Sequence, residues 1–360
     1  MYECWLNEKR FEYFDGLRAI SILLVILYHS EPRFNISHAL IEVGYVGVDL
    51  FFVISGFLIT TLLIREKNKY GQINLKNFYM RRVLRIFPLY YSLLFFHLFL
   101  TLYVINEKHP VESKVFLDNF IYFITYTSNW FVIRNEETKT IFYIAWSLAA
   151  EEQFYLFWPP VLYLLAKTSR AMWMIIIVFA ISLLFSTYFD LFVVYLSYLP
   201  AKIISSIPSG ICIGIAASLL LHSRHGENIF SIISRRSILE ISIIFLVASY
   251  TLYAYEIIPK LAPLFAMGLA VACLATNKKC LLTMLFKNKL VGDFGKVSYG
   301  LYLYHMLVLN LVLSLNVYIG LPAAINLFLV IVVSYLVSFI SYNYFEAYFL
   351  SKKKYFSTNV

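Results

Sequence analysis

The stretch Phe14 to Ser30, FDGLRAISILLVILYHS, decides how the chain is read. It is an apolar run of spanning length with Arg18 near its start and His29 near its far end. Only apolar and small residues and Tyr28 lie between them. At about 100° and 1.5 Å per residue, the steps from Arg18 to His29 make about three turns, so both side chains share one helix face roughly 16 Å apart, with Asp15 near it. Ionisable residues inside a span cost a few kcal/mol and normally face the bundle interior or a water-filled cavity. Two on one face predict a polar track across the membrane. The plainer alternative is that Arg18 snorkels to the inner headgroups and His29 sits at the outer interface.

Working outward, the whole chain shares this character. Of its 360 residues, 61% are hydrophobic and 14% charged, with mean hydropathy +0.73, whereas a soluble globular domain has roughly 25% charged residues. The composition predicts an all-α polytopic membrane protein. The opening MYECWLNEKRFEYF lacks the apolar core and small-residue cleavage site of a removable signal peptide, so the first span is expected to act as the insertion signal. Cys4, Cys212, Cys273 and Cys280 have no paired metal-ligand spacing and read as inert packing residues, with no metal expected. The net charge of +9 comes from lysines and arginines clustered in short loops between apolar runs. That pattern fits the positive-inside rule better than a nucleic-acid partner, and none is expected.

Runs able to cross about 30 Å of hydrocarbon fall near residues 13–31, 44–64, 84–105, 144–166, 171–189, 201–221, 238–256, 260–276, 292–314 and 320–345, which predicts a bundle of about ten transmembrane helices. The run 116–133, FLDNFIYFITYTSNWFVI, is nearly long enough but contains Asp118, Asn119, Ser128 and Asn129. With ten spans and the N-terminus inside, most of the 30 lysines and arginines face the cytoplasm. An additional span at 116–133 would place every later basic cluster outside, including Lys352 to Lys354. That run is therefore expected to be re-entrant or interfacial, both termini cytoplasmic, and residues 1–360 one integral membrane domain without a fused soluble domain. Gly210 and Gly214 form a GxxxG pair suited to close helix packing. Pro159 and Pro160 are expected to kink their span and turn carbonyls toward a cavity.

Four further stretches can carry chemistry. In GYVGVDLFFVISGFLIT (44–60), Asp49 lies at a depth comparable to His29, where it could orient the histidine or simply be wetted at the interface. RRVLRIFPLYY (81–91) presents Arg81, Arg82 and Arg85 on about one turn, either as forks for a phosphate group or as topology anchors. AWSLAAEEQFYLFWPP (145–160) sets Glu151 and Glu152 inside a span. Neighbouring helix positions diverge by about 100°, so at least one must face the interior. VSYGLYLYHMLVLN (297–310) places His305 mid-span with Ser298 and Tyr302 on its face, a core hydrogen-bonding histidine or a functional one. His222 and His225 lie in a basic loop, and HxxH alone is a weak metal signal.

These motifs, in this order, resemble the acyltransferase 3 family of bacterial integral membrane acyltransferases, from Phe14 to about Glu346. The resemblance implies a ten-span bundle in the bacterial cytoplasmic membrane that moves an acyl group, commonly acetyl, from acyl-CoA to an extracytoplasmic carbohydrate. It maps the family's arginine and histidine onto Arg18 and His29, its arginine motif onto Arg82 and Arg85, and its glutamate motif onto Glu151 and Glu152. Arg18, His29, Glu151 and Glu152, and Asp49 by its depth beside His29, are expected to be catalytic. Arg81, Arg82, Arg85 and Arg18 are expected to hold acyl-CoA, acetyl-CoA first among the donors. Asp49, Trp146, Tyr302 and His305 are expected to contact a glycan or lipid-linked saccharide. Without a GxSxG elbow or an exposed cysteine nucleophile, the simplest chemistry is a histidine general base on a sugar hydroxyl, with a transient acyl-histidine as the alternative. A transporter or flippase would also have many spans and intramembrane charges, but no inverted repeat of the motifs is visible between the halves.

Overall fold

In hydrocarbon, every backbone amide must be satisfied within its own segment or by covering protein, so the apolar runs fold as helices. The computed structural model describes residues 1–8, 11, 13–35, 38–105, 109–132, 141–165, 168–196, 198–277, 286 and 288–356, and among these no strand occurs. Cys280, Lys9, Arg10 and Ile133 lie outside the described residues. The long helices are α1 (Tyr13–Phe34), α2 (Val46–Tyr70), α3 (Leu75–Leu100), α4 (Ala145–Leu164), α5 (Thr168–Thr187), α6 (Ser209–Leu221), α7 (Arg236–Ala254), α8 (Leu261–Thr276), α9 (Ser298–Ile319) and α10 (Ala323–Ile340).

Among the described residues, seven helices are long and apolar enough to cross a membrane: α1, α2, α3, α5, α7, α9 and α10. An eighth crossing arises if α6 joins the short helix Tyr198–Ser205, from which it bends by 43°. The expected count of about ten falls short at two places, for physical reasons. Glu151, Glu152, Gln153 and two prolines dilute the apolarity of α4, while α8 has only 16 residues, about 24 Å of helix. Most of α8 is buried against other helices, as is the first turn and a half of α4, so their surface need not match lipid along its whole length.

The run 116–133 is not one helix. It is divided among Pro110–Asp118, Phe120–Ile124 and Ser128–Phe131, and Tyr126 adopts φ +53° at a break. The interrupted backbone is covered by protein: Tyr90 and Tyr91 of α3 donate to the carbonyls of Phe123 and Ile124 at 2.7 and 2.9 Å. Gln153 of α4 donates to Tyr126 O at 2.8 Å and pairs with the Asn129 amide.

α4 runs through both prolines as a single helix. The Leu156 carbonyl, whose helical donor Pro160 lacks, accepts the Tyr79 hydroxyl at 2.8 Å. The carbonyl expected to face a cavity is thus taken up by α3.

Two junctions position the site. α2 ends at Gly71 in the left-handed region (φ +74°), after which the Asn74 side chain accepts the Asn77 amide at 3.0 Å and caps α3. Glu66 accepts the Asn74 amide at 2.9 Å, so the turn is tied to α2. Along the α2–α6 seam the backbones touch: a Cβ added at Gly56 would strike Ile211 O, and one at Gly214 would strike Val53 O.

Candidate active site

At the Arg18 end of α1 a cavity of about 470 Å³ opens among α1, α2, α3, α9 and the continuation of α10. Its charged lining is Arg18, Arg85, Lys296 and Lys353 against Asp15 and Glu346, a cationic excess suited to an anionic ligand. Arg18 pairs with Asp15 at 3.0 Å and Lys296 with Asp293 at 2.7 Å. Arg85 lies within electrostatic reach of Arg18, Lys353 and Glu346.

Arg18, Leu58, Arg85 and Tyr299 also line a second, inner cavity of about 90 Å³, so the two chambers adjoin. Both Glu151 and Glu152 line the inner chamber, with Arg82, Ser55, Tyr155, Ser147 and Tyr302. Ser55 and Tyr155 both donate to the Glu151 carboxylate, and the Arg82 guanidinium lies 4.8 Å from the centre of the Tyr155 ring. At its far end, Tyr302 Oη and Ser147 Oγ share a hydrogen bond of 2.6 Å, and Tyr302 also donates to Ile144 O at 3.1 Å.

Beyond that contact stands a pair of histidines. His305 is fully buried (0% exposed) and its Nδ1 lies 2.7 Å from Tyr302 O, while its Nε2 is 3.3 Å from Nδ1 of His29. His29 is half-buried, and its Nδ1 is also 3.0 Å from Val25 O one turn back. The polar face expected along α1 is therefore divided: Arg18 lines both chambers, and His29 lies beyond the Ser147–Tyr302 closure.

Other expected site residues take separate places. Arg81 leaves its two neighbours: it donates to Phe356 O at 2.7 Å and stands 3.7 Å from Glu66. Asp49 takes a partner the sequence did not suggest, Lys260, at 2.8 Å, and Lys260 also covers the Tyr45 ring at 5.1 Å. Trp146 packs edge-on against Phe52, 6.3 Å between ring centres. Sequence reasoning missed Ser55, Tyr155, Tyr299, Lys296, Glu346 and Lys353 as lining residues. Signals existed for two of them: Tyr155 lies one helical turn after Glu151, and Glu346 is an acid closing an apolar run. Among the described residues no cluster of histidine, cysteine, aspartate or glutamate could hold a metal ion.

A family model described as an acyltransferase domain, that of acyltransferase 3, matches residues 11–343. The chain belongs to the acyltransferase 3 family. A Staphylococcus aureus (strain COL) protein with an inferred O-acetyltransferase name is 28% identical to this acyltransferase 3 chain over 365 aligned positions, covering 93% of the chain and 56% of the relative. Peptidoglycan O-acetyltransferase OatA of Listeria monocytogenes is 37% identical over 160 residues, covering 42% of the chain and 24% of the relative. O-acetyltransferase OatA of Staphylococcus aureus (strain NCTC 8325) is 35% identical over 181 residues, covering 47% and 28%. The acyltransferase 3 chain thus spans about half the length of the first of these relatives and less of the others. No solved structure matches it.

Proposed function

We propose that the protein is a multi-pass O-acetyltransferase of the bacterial cytoplasmic membrane that takes acetyl from cytoplasmic acetyl-CoA and places it on a hydroxyl of an extracytoplasmic or lipid-linked glycan. The observation that carries this reading is the pair of adjoining chambers, which lead from a cationic mouth past Arg18, Arg85 and two glutamates to the Ser147–Tyr302 contact, where Tyr302 holds His305 and His305 meets His29. The phosphates of the donor fit the mouth, where Arg85, Arg18 and Lys353 supply charge and Arg82 lies deeper. The thioester then points along the inner chamber. The acceptor approaches from the opposite side, near His29, Asp49 and the broken segment 116–133. In this reading α4 and α8 also cross, giving ten crossings with both termini cytoplasmic, and the broken segment stays on the outer side.

The chemistry follows from the histidine. His29 takes the proton of the acceptor hydroxyl as the oxygen attacks the thioester carbonyl; the carbon–sulfur bond breaks, and the CoA thiolate leaves with the proton returned from His29. Peptidoglycan, named for the Listeria relative, is one acceptor class to try first.

The test is incubation of the purified protein with labelled acetyl-CoA and cell-envelope glycans. Label attached to glycan is expected, and His29→Ala should lower it by roughly 100-fold to 10,000-fold, the usual contribution of a general base. Normal transfer by His29→Ala would remove His29 from the mechanism. Vesicle uptake of glycan or donor without attachment would favour a transporter instead.

A further inference from the structure

His305 has no exposed surface, and both its ring nitrogens face protein atoms. A residue so enclosed is poorly placed to meet a glycan, the contact expected of it beside the alternative of a core hydrogen-bonding histidine. The hydrogen bonds assign it another. The Tyr302 carbonyl can only accept, so His305 Nδ1 carries a hydrogen and, in the neutral ring, Nε2 carries the lone pair. The Val25 carbonyl likewise can only accept, so His29 Nδ1 carries its hydrogen, which then lies between Val25 O and His305 Nε2. Both contacts make the same demand on His29: its lone pair sits on Nε2. Tyr302 fixes the height of His305 in turn, because its hydroxyl is bound to Ser147 and to Ile144 O beside α4.

We infer that His305 is a positioning residue for the acyl-transfer reaction: through Nε2 it holds His29 in the tautomer whose Nε2 can take the acceptor's proton, and it accepts from the imidazolium that forms. This inference rests on the reading of His29 as the base. As His29 gains a proton, the bond from its Nδ1 becomes charge-assisted, so His305 contributes more in the transition state than in the resting enzyme. Loss of that acceptor should therefore lower kcat and leave KM for the donor unchanged.

The experiment compares His305→Gln with His305→Met, side chains of similar length of which only glutamine offers an oxygen acceptor. Both are measured per folded molecule with labelled acetyl-CoA and cell-envelope glycans, beside His305→Phe, which keeps an aromatic ring without an acceptor. Met and Phe are expected to lose roughly ten-fold to a hundred-fold in kcat, the worth of a hydrogen bond to a charged group, with donor KM unchanged and most of the loss recovered by Gln. Equal activity in Gln and Met overturns the inference, as does a raised glycan KM with normal kcat, or a lowered yield of folded protein with normal kcat. His29→Ala separates the two readings. If it still transfers acetyl, the base assignment fails; if it is inactive while His305→Met matches the parent, only the role given to His305 fails.

Discussion

Arg81, Arg82 and Arg85 are neighbours in sequence and take different places in the fold. A run of guanidinium groups announces affinity for anions, yet nothing in composition says which forks are already occupied. Arg81 is held by Glu66 and the Phe356 carbonyl, whereas Arg82 and Arg85 line the inner chamber. Arg82→Ala or Arg85→Ala should therefore weaken acetyl-CoA binding about ten-fold to a hundred-fold, from about 1.5 to 3 kcal/mol per charge-assisted hydrogen bond. Arg81→Ala should leave it nearly unchanged, and isothermal titration or a donor KM series reads the difference. Arg85→Lys should recover only part, since lysine keeps the charge and loses the fork. The intramembrane acids and His29 were legible because charge in an apolar run demands a reason. Ser55, Tyr299 and the His29–His305 contact were not, because a serine or tyrosine in a span is unremarkable until another helix is placed against it. His222 is legible only in the fold. It sits at the end of α6 beside the Trp5 ring, where burial pushes its pKa down from 6.5 to about 4. The fold accepts the neutral ring, so its contribution is complete above about pH 6.5 and is lost as pH falls toward 4, about 3 kcal/mol in all. His222→Asn should flatten the decline of melting temperature over that interval, as measured in detergent.

Between elements, contact distance decides what a substitution costs. The GxxxG pair predicted close packing, and α6 meets α2 so closely that a methyl group at position 214 would strike the Val53 carbonyl. Backbone cannot yield as a flexible side chain does. Gly214→Ala should destabilise the protein by about 1 to 3 kcal/mol, seen as a lower unfolding temperature in detergent, and should disturb Ser55, which stands on the same helix as Val53 and donates to Glu151. Helix existence was readable at every one of the ten apolar runs, since hydrocarbon permits little else. The fate of 116–133 was only half readable. Its polar residues warned against a plain span, but the division into three pieces depends on α3 tyrosines and on Gln153 supplying partners for the broken backbone.

For the molecule as a whole, topology is where sequence reasoning reached furthest and where counting helices by length alone stops at seven or eight. The apolar runs predict ten crossings and the distribution of basic residues predicts their sidedness, and a direct measurement can decide both. Reporters fused after residues 110 and 132 should report the same side, and reporters within α1's leading segment and after residue 356 should both report the cytoplasm. Opposite sides for the first pair would overturn the arrangement. The closure between Ser147 and Tyr302 has a consequence of an electrical kind. A bacterial membrane stores energy as a proton gradient, with about 2.3 kcal/mol per charge for each 100 mV. A line of arginine, glutamate and histidine open to water at both ends would be a wire across it. One shared hydrogen bond of 2.6 Å stands between the glutamate chamber and the histidine pair, so buried side chains rather than open water occupy that point of the line. Tyr302→Ala, reconstituted in liposomes carrying a pH-sensitive dye, is expected to dissipate an imposed pH gradient faster than the parent protein; equal decay would mean that the insulation lies elsewhere.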